Sequence, residues 1–152
     1  MEVICSSLPF FSMRKLPSSL SIMSARVATV PSPPVSVSYT HLGDGYVIAG
    51  NILTGEDVLT EMEKAFLRTE GPLADRLMQA LLAADSCGGD RRGKMAAVIR
   101  VDKVQGFPYI DFRVDDHPDA VVELNKIYQK NKAHIFETYD NWVENVKQGV
   151  KG

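Results

Sequence analysis

The chain has 152 residues, of which 45% are hydrophobic and 24% are charged, and its formal net charge at pH 7 is −2. This composition is ordinary for a soluble globular domain, and the chain is long enough to bury a core. It has no basic stripe and no apolar run near the ~20 residues of a membrane-spanning helix, which argues against nucleic-acid and membrane partners. Cys5 and Cys87 are too far apart and too isolated to suggest a disulfide framework or a zinc site, and they fit a reducing, cytoplasmic compartment.

Residues 1–42 differ in composition from the rest of the chain. Serine dominates, prolines recur, and Glu2 is the only acid before residue 41. Their apolar residues follow neither the helical nor the strand period, which predicts a mostly disordered leader. Arg14, Lys15 and Arg26 among many serines also resemble an organellar transit peptide. A leader unrelated to the domain, from a mis-set start or a fusion, would explain the same composition.

A short strand and two helices are predicted at the start of a 43–136 domain. The apolar run "YVIAGNIL" (46–53) is typical of a buried strand. Thr54 can then cap a helix, with Asp57 as its capping-box partner three residues later. The sequence "TEGP" (69–72) separates this helix from the next one, which "CGG" ends.

The second half of the domain predicts a β-hairpin followed by helices. "MAAVIRV" (95–101) is typical of a buried strand, and "YIDFRVD" (109–115) alternates between polar and apolar residues. An amphipathic helix is expected over 118–131, and a separate C-terminal helix or tail over 137–152. The predicted order is β-α-α-β-β-α-α, with helices beside a mainly antiparallel sheet, which indicates the α+β class.

The acidic stretch "DFRVDDHPDA" (111–120) lies where the hairpin meets the following helix. Its simplest interpretation is structural, because Asp116 can cap the helix and acids near the positive helix end are favourable. His117, beside Asp115 and Asp116, is also a candidate base oriented by a carboxylate. Consecutive acids in such a turn point in different directions, so neither a metal site nor a cofactor is predicted.

The loop "GGDRRG" (88–93) is a candidate anion site. Its glycines can expose backbone N–H groups, and Arg91 and Arg92, on the C-terminal side of Asp90, can hold a carboxylate or phosphate. The alternative is a helix stop leading into a strand, in which the arginines pair with the acids at 115–116.

Four segments, taken together, resemble one known family. "GDGYVIAGNIL", "GPLADRLMQALLAAD", "GGDRRGK" and "FRVDDHPDAVVEL" occur in the order and spacing of the domain of unknown function 1028 family, over about residues 43–136. Its members are predicted N-terminal-nucleophile (Ntn) hydrolases. The resemblance therefore implies part of an αββα sandwich and an amide-type ligand. The nucleophile of such enzymes is a leading Thr, Ser or Cys whose own α-amine serves as the base.

The sequence departs from the family pattern where chemistry is expected. The first half, with its nucleophile strand, is absent. Glu2 is expected to block removal of Met1, so no catalytic residue is identified. Met95 and Ala96 stand where members tend to continue with Gln-Ser. In an intact hydrolase Asn51 could donate a hydrogen bond to an oxyanion, and it could equally cap the turn that follows it.

Three functions remain open at this point. The first is a truncated or catalytically incompetent Ntn-hydrolase-like domain, which forms a homo-oligomer or needs a missing half-domain because its uncovered faces are apolar. The second is an active amide hydrolase whose first half and nucleophile are missing from this gene model. The third is a non-catalytic interaction module that binds a small anion through the 88–93 loop.

Overall fold

The computed structural model describes residues 3–4, 12–14, 38–102 and 108–149. The elements of these residues, in chain order, are β1 (Val3–Ile4), β2 (Ser12–Arg14), β3 (Ser38–Gly43), β4 (Tyr46–Asn51), α1 (Asp57–Arg68), α2 (Leu73–Ser86), β5 (Ala97–Asp102), β6 (Pro108–Val114) and α3 (Ala120–Lys147). Helices beside antiparallel strands confirm the predicted α+β class.

The first sheet is antiparallel and has the order β1-β2-β4-β3. β3 and β4 form a hairpin whose turn contains Gly45 at φ +75°, a left-handed conformation that glycine adopts without a steric penalty. The register places His41 opposite Ile48 and Gly43 opposite Tyr46. These four side-chain positions therefore share one face of the hairpin.

The second sheet is the predicted hairpin of β5 and β6. Its register shifts at the open end, where Val101 pairs with Ile110 but Asp102 pairs with Pro108. This leaves Tyr109 as the extra residue of a β-bulge, and a bulge re-aims the side chain that it carries.

One apolar core joins the three helices to both sheets. Ile48, Ile99 and Ile110 from three strands are at most 1% exposed, and so are Met62 of α1 and Tyr128 of α3. Because the helices pack on the same face of the strands, the described residues form two layers. The opposite strand face carries exposed residues, among them Thr40, Leu42, Arg100, Asp111 and Arg113.

The prediction of two separate C-terminal helices is wrong, because α3 is a single helix of 28 residues. The polar stretch that suggested a break is compatible with helix. Asn131 donates to the carbonyl of Ile127 at 2.8 Å, and Lys132 Nζ lies 3.1 Å from a carboxylate oxygen of Asp75 on α2.

Both predicted helix caps are also wrong. Glu56 occupies the N-cap of α1 without a side-chain bond, while the Thr54 hydroxyl donates to the carbonyl of Cys87 at 3.1 Å. Asp119, not Asp116, occupies the N-cap of α3, and Asp116 takes φ +55°. Before α1 the expected cap is replaced by a tertiary contact of Thr54, and before α3 it is replaced by a local turn at Asp116.

β3 begins at Ser38, inside the segment taken as a leader and before the expected domain start at residue 43. It pairs with β4 over its whole length, so these residues belong to the sheet. The remaining prediction of disorder falls mostly on residues 1–2, 5–11 and 15–37, which lie outside the described residues.

Candidate functional site

The glycine-rich loop (residues 87–93) packs against the segment that follows β4. The backbone N–H of Thr54 donates to the carbonyl of Gly89 at 3.0 Å, and the N–H of Arg91 donates to the carbonyl of Ile52 at 2.9 Å. Gly88 takes φ +103°, and a Cβ atom there would lie 2.7 Å from Thr54 Oγ1. The glycine therefore allows the two backbones to approach closely.

The N–H groups of the three glycines in this loop donate to acceptors within the protein. Gly88 donates to the carbonyl of Asp85 at 3.0 Å, Gly89 to that of Ala84 at 3.1 Å, and Gly93 to that of Asp90 at 3.2 Å. An anion-binding turn needs such groups to converge on a ligand. The observed bonds instead fix the loop to α2 and to itself.

The side chains of the loop are also paired locally. The side chain of Arg92 donates two hydrogen bonds to the carboxylate of Asp90, from Nε at 3.0 Å and from Nη2 at 2.6 Å. The backbone N–H of Arg92 donates to the same carboxylate at 2.8 Å. Burial raises the pKa of Asp90, but the hydrogen bonds and charge of Arg92 outweigh it and lower that pKa below its usual value. Arg91 Nη2 donates to the carbonyl of Leu53 at 3.3 Å.

Asp115 and Asp116 were the expected partners of the arginines in the glycine-rich loop, but Asp115 pairs with its own strand neighbour. Asp115 pairs with Arg113 at 2.9 Å and 3.0 Å on the exposed strand face, and hydrogen bonds from that arginine lower its pKa. The backbone N–H of His117 donates to the carbonyl of Met95 at 2.9 Å, and its Nδ1 accepts from the N–H of Asp119 at 3.1 Å. This geometry makes His117 part of the helix start.

Asn51 is the predicted site residue with an unused hydrogen-bonding atom. Its Oδ1 is buried and accepts no hydrogen bond within the described part of the chain. Buried polar atoms are nearly always paired, so this oxygen requires a physical explanation. The free atom is an acceptor, and the donor that an oxyanion would need is the NH2 group of the same side chain.

Three polar side chains that the sequence interpretation did not identify form a hydrogen-bonded cluster. The Tyr46 hydroxyl donates to Glu63 Oε1 at 2.6 Å, and His41 Nδ1 lies 2.9 Å from Glu63 Oε2. The hydrogen bond from Tyr46 is the main cause of a lowered pKa at Glu63, and the same bond, aided by burial, raises the pKa of Tyr46 to about 12. No local motif announces this cluster, because its members come from β3, β4 and α1.

An aromatic cluster lies between the bulge of β6 and the last turns of α3. The rings of Tyr109 and Tyr139 meet edge to face at 4.6 Å, and those of Tyr139 and Trp142 lie 5.9 Å apart at 48°. They line a cavity of about 420 Å³ together with Pro108, His134, Ile135 and Thr138. Apolar residues recurring along the C-terminal stretch were the sequence signal for this surface.

The described residues contain neither a clustered metal site nor a membrane-spanning helix. No three or more His, Cys, Asp or Glu side chains there are grouped so that they could hold a metal ion. In the same part of the chain, no helix has the length and apolar character needed to cross a bilayer.

Comparison with known proteins identifies a family and a similar solved structure. The model of the Family of unknown function (DUF1028) matches residues 27–124. The crystal structure of protein SPO2555 from Silicibacter pomeroyi, assigned to the same family model, is similar with a TM-score of 0.54 and 28% sequence identity. The match covers 62% of this chain and 42% of that chain. Comparison with curated proteins gave no match.

Proposed function

The chain belongs to the family of unknown function DUF1028. On this basis we propose that it is an Ntn-hydrolase-like domain that associates with a second copy of itself. The single chain has no hydrolase activity under this proposal. The observation that carries this proposal is the two-layer arrangement, in which the helices cover one face of the strands. An αββα sandwich needs a further sheet against the other face.

Among the described residues, the strand face opposite the helices is partly apolar at the β3–β4 hairpin. Leu42 is 62% exposed there, and Val47, directly opposite in the register, is half-buried. Ala49 extends this patch along β4. An apolar strand face that can be covered by the same face of a second copy favours a symmetric dimer.

Sedimentation velocity of the full chain over a range of concentrations tests this proposal. Leu42→Glu places a charge in the expected contact and should shift the equilibrium to monomer. Leu67→Glu is the matched control, because Leu67 is 57% exposed but lies on α1, in the helix layer. A wild-type chain that stays monomeric at all concentrations, or two variants with equal effects, would contradict the proposal.

Asn51 favours a second candidate function, an amide hydrolase of the same family type. A buried, unused side-chain oxygen can accept a hydrogen bond from a substrate amide N–H or from an α-ammonium group. Under this alternative the purified protein should hydrolyse peptide amides, and Asn51→Ala should abolish the reaction. Amino-terminal sequencing of the active protein would then show a leading Ser, Thr or Cys. Absence of both results would leave the association function as the better account.

A further inference from the structure

We propose that the free edge of β3 pairs with β3 of a second copy of this chain, so that the two sheets join edge to edge. β3 lies at the end of the first sheet, and among the described residues its neighbour in that sheet is β4 alone. An edge strand presents unpaired backbone N–H and C=O groups, which form a template for a further strand. The contact uses the edge of the sheet and not its face, so it does not depend on the function proposed above.

The backbone groups that point away from β4 can be assigned from the turn that joins the two strands. Gly43 and Tyr46 flank a two-residue turn, so their pairing is of the hydrogen-bonded kind. Such pairs recur at every second residue of an antiparallel strand, which assigns the backbone groups of Tyr39 and His41 to β4 as well. The intervening residues direct their N–H and C=O groups to the free edge: Ser38, Thr40 and Leu42. Among the described residues, no backbone bond from outside the sheet reaches these outward groups.

β3 lacks the features by which proteins protect an exposed edge. It contains no lysine, arginine, aspartate, glutamate or proline, and its pairing with β4 runs without a register shift. Charges, prolines and bulges are the usual means of keeping a further strand from pairing. Leu42 adds an apolar side chain that is 62% exposed. The edge of β3 therefore favours the addition of a strand.

β6, the last strand of the second sheet, has all of these protective features. It begins with Pro108, and its register with β5 shifts near that residue. Its exposed face carries Asp111 and Arg113. The two strands have similar lengths, six residues for β3 and seven for β6. The contrast indicates that β6 is protected from pairing with a further strand, whereas β3 is open to it.

A second copy fits this edge because β3 can pair with itself symmetrically. Antiparallel pairing of two identical strands is generated by a two-fold axis, the commonest symmetry of protein dimers. With the axis beside Thr40, Thr40 faces its own copy and Leu42 faces Ser38 of the second copy, so the outward groups of all three residues are used. The same register sets Tyr39 beside His41 of the second copy, and it brings no two carboxylates or ammonium groups opposite one another.

Amide hydrogen exchange of the full chain, followed by NMR at increasing protein concentration, tests this pairing residue by residue. The amides of Thr40 and Leu42 should exchange about tenfold more slowly once about nine in ten chains are paired. The amides of Tyr39 and His41 should change less, because they are already bonded to β4. Association through the strand face would not produce this alternation. Protection of Thr40 and Leu42 at every concentration would show that the edge is covered within one copy, and would overturn the proposal.

Two substitutions at Thr40 give a matched comparison. Thr40→Pro removes the outward N–H at the two-fold axis and keeps the bonds to β4, since an edge strand tolerates proline where its nitrogen faces outward. Sedimentation velocity should show self-association weakened about tenfold, because both hydrogen bonds of the Thr40 pair are lost. Thr40→Val keeps the N–H and should associate as the wild type does.

The proposal would be overturned by a folded Thr40→Pro variant that associates as strongly as Thr40→Val. If Thr40→Pro does not fold, the exchange pattern of the wild type decides the question. A wild-type chain whose Thr40 and Leu42 amides exchange at the same rate at all concentrations, or no more slowly than those of Tyr39 and His41 on association, would also overturn it.

Discussion

The hydrogen bond between Tyr46 and Glu63 makes a testable contribution to stability that depends on pH. The Tyr46 hydroxyl donates to a carboxylate at 2.6 Å, and Tyr46 is 8% exposed. Hydrogen bonds to charged groups contribute about 1.5–3 kcal/mol. Because the Glu63 side chain is 26% exposed, water can replace part of the bond. Tyr46→Phe should therefore cost about 1.5 kcal/mol at pH 7, a tenfold change in the unfolding equilibrium.

The sign of the pH dependence follows from the two pKa shifts. The folded pKa of Glu63 is lowered from 4.5, so its contribution is complete above that value and is lost as the pH falls through the folded pKa. The folded pKa of Tyr46 is raised from 10.0 to about 12, so stability is lost as the pH rises through that interval. The penalty of Tyr46→Phe should be largest at neutral pH and smaller at both extremes.

Urea unfolding of wild type and variant at pH 7, below pH 4.5 and above pH 10 measures this penalty. Tyr39→Phe is a suitable control, because Tyr39 lies on the adjacent strand and its hydroxyl makes no hydrogen bond among the described residues. A penalty that is the same at all three pH values would show that the ring fit, and not the bond to an ionised Glu63, explains the loss.

Three further substitutions test the glycine-rich loop, the Asn51 oxygen and the contact between α2 and α3. Each is measured by urea unfolding, in which the dependence of the free energy of unfolding on urea concentration should stay unchanged. Gly88→Ala should destabilise by about 1–3 kcal/mol, more than Gly45→Ala, because only the former would also crowd Thr54. Asn51→Leu should be neutral or stabilising if the buried oxygen serves a ligand, and a clear loss would indicate a structural role. Asp75→Ala should cost about 1–3 kcal/mol, since it leaves the hydroxyl of the fully buried Tyr128 without its acceptor.

Apolar periodicity predicted the elements that face the core. The alternation in "YIDFRVD" correctly placed Ile110 and Val114 inward, at 1% and 8% exposure. The break expected after residue 131 was wrong, because polar residues that interrupt an apolar stripe do not end a helix whose long side chains bond along or across it. Lys132 reaches Asp75, 57 positions away in the chain, and no local pattern contains that partner.

The caps failed for a related physical reason. Helix α1 begins two residues later than expected, with Glu56 at its N-cap, so Thr54 lies outside the capping position and its hydroxyl donates to loop carbonyls. Here the glycines at 88 and 89 bring loop carbonyls to Thr54 from more than 30 positions away. The sequence indicated both the threonine and the glycine-rich loop, but it could not show that they meet.

Local charge pairs also limit what a motif can predict about a site. Asp90 with Arg92, and Arg113 with Asp115, are two positions apart and satisfy one another within a turn or along a strand. The charged groups of a dense motif can therefore pair with one another, which leaves fewer of them to bind a ligand. Function is better sought where that capacity remains, at the buried oxygen of Asn51, which accepts no hydrogen bond from the described residues.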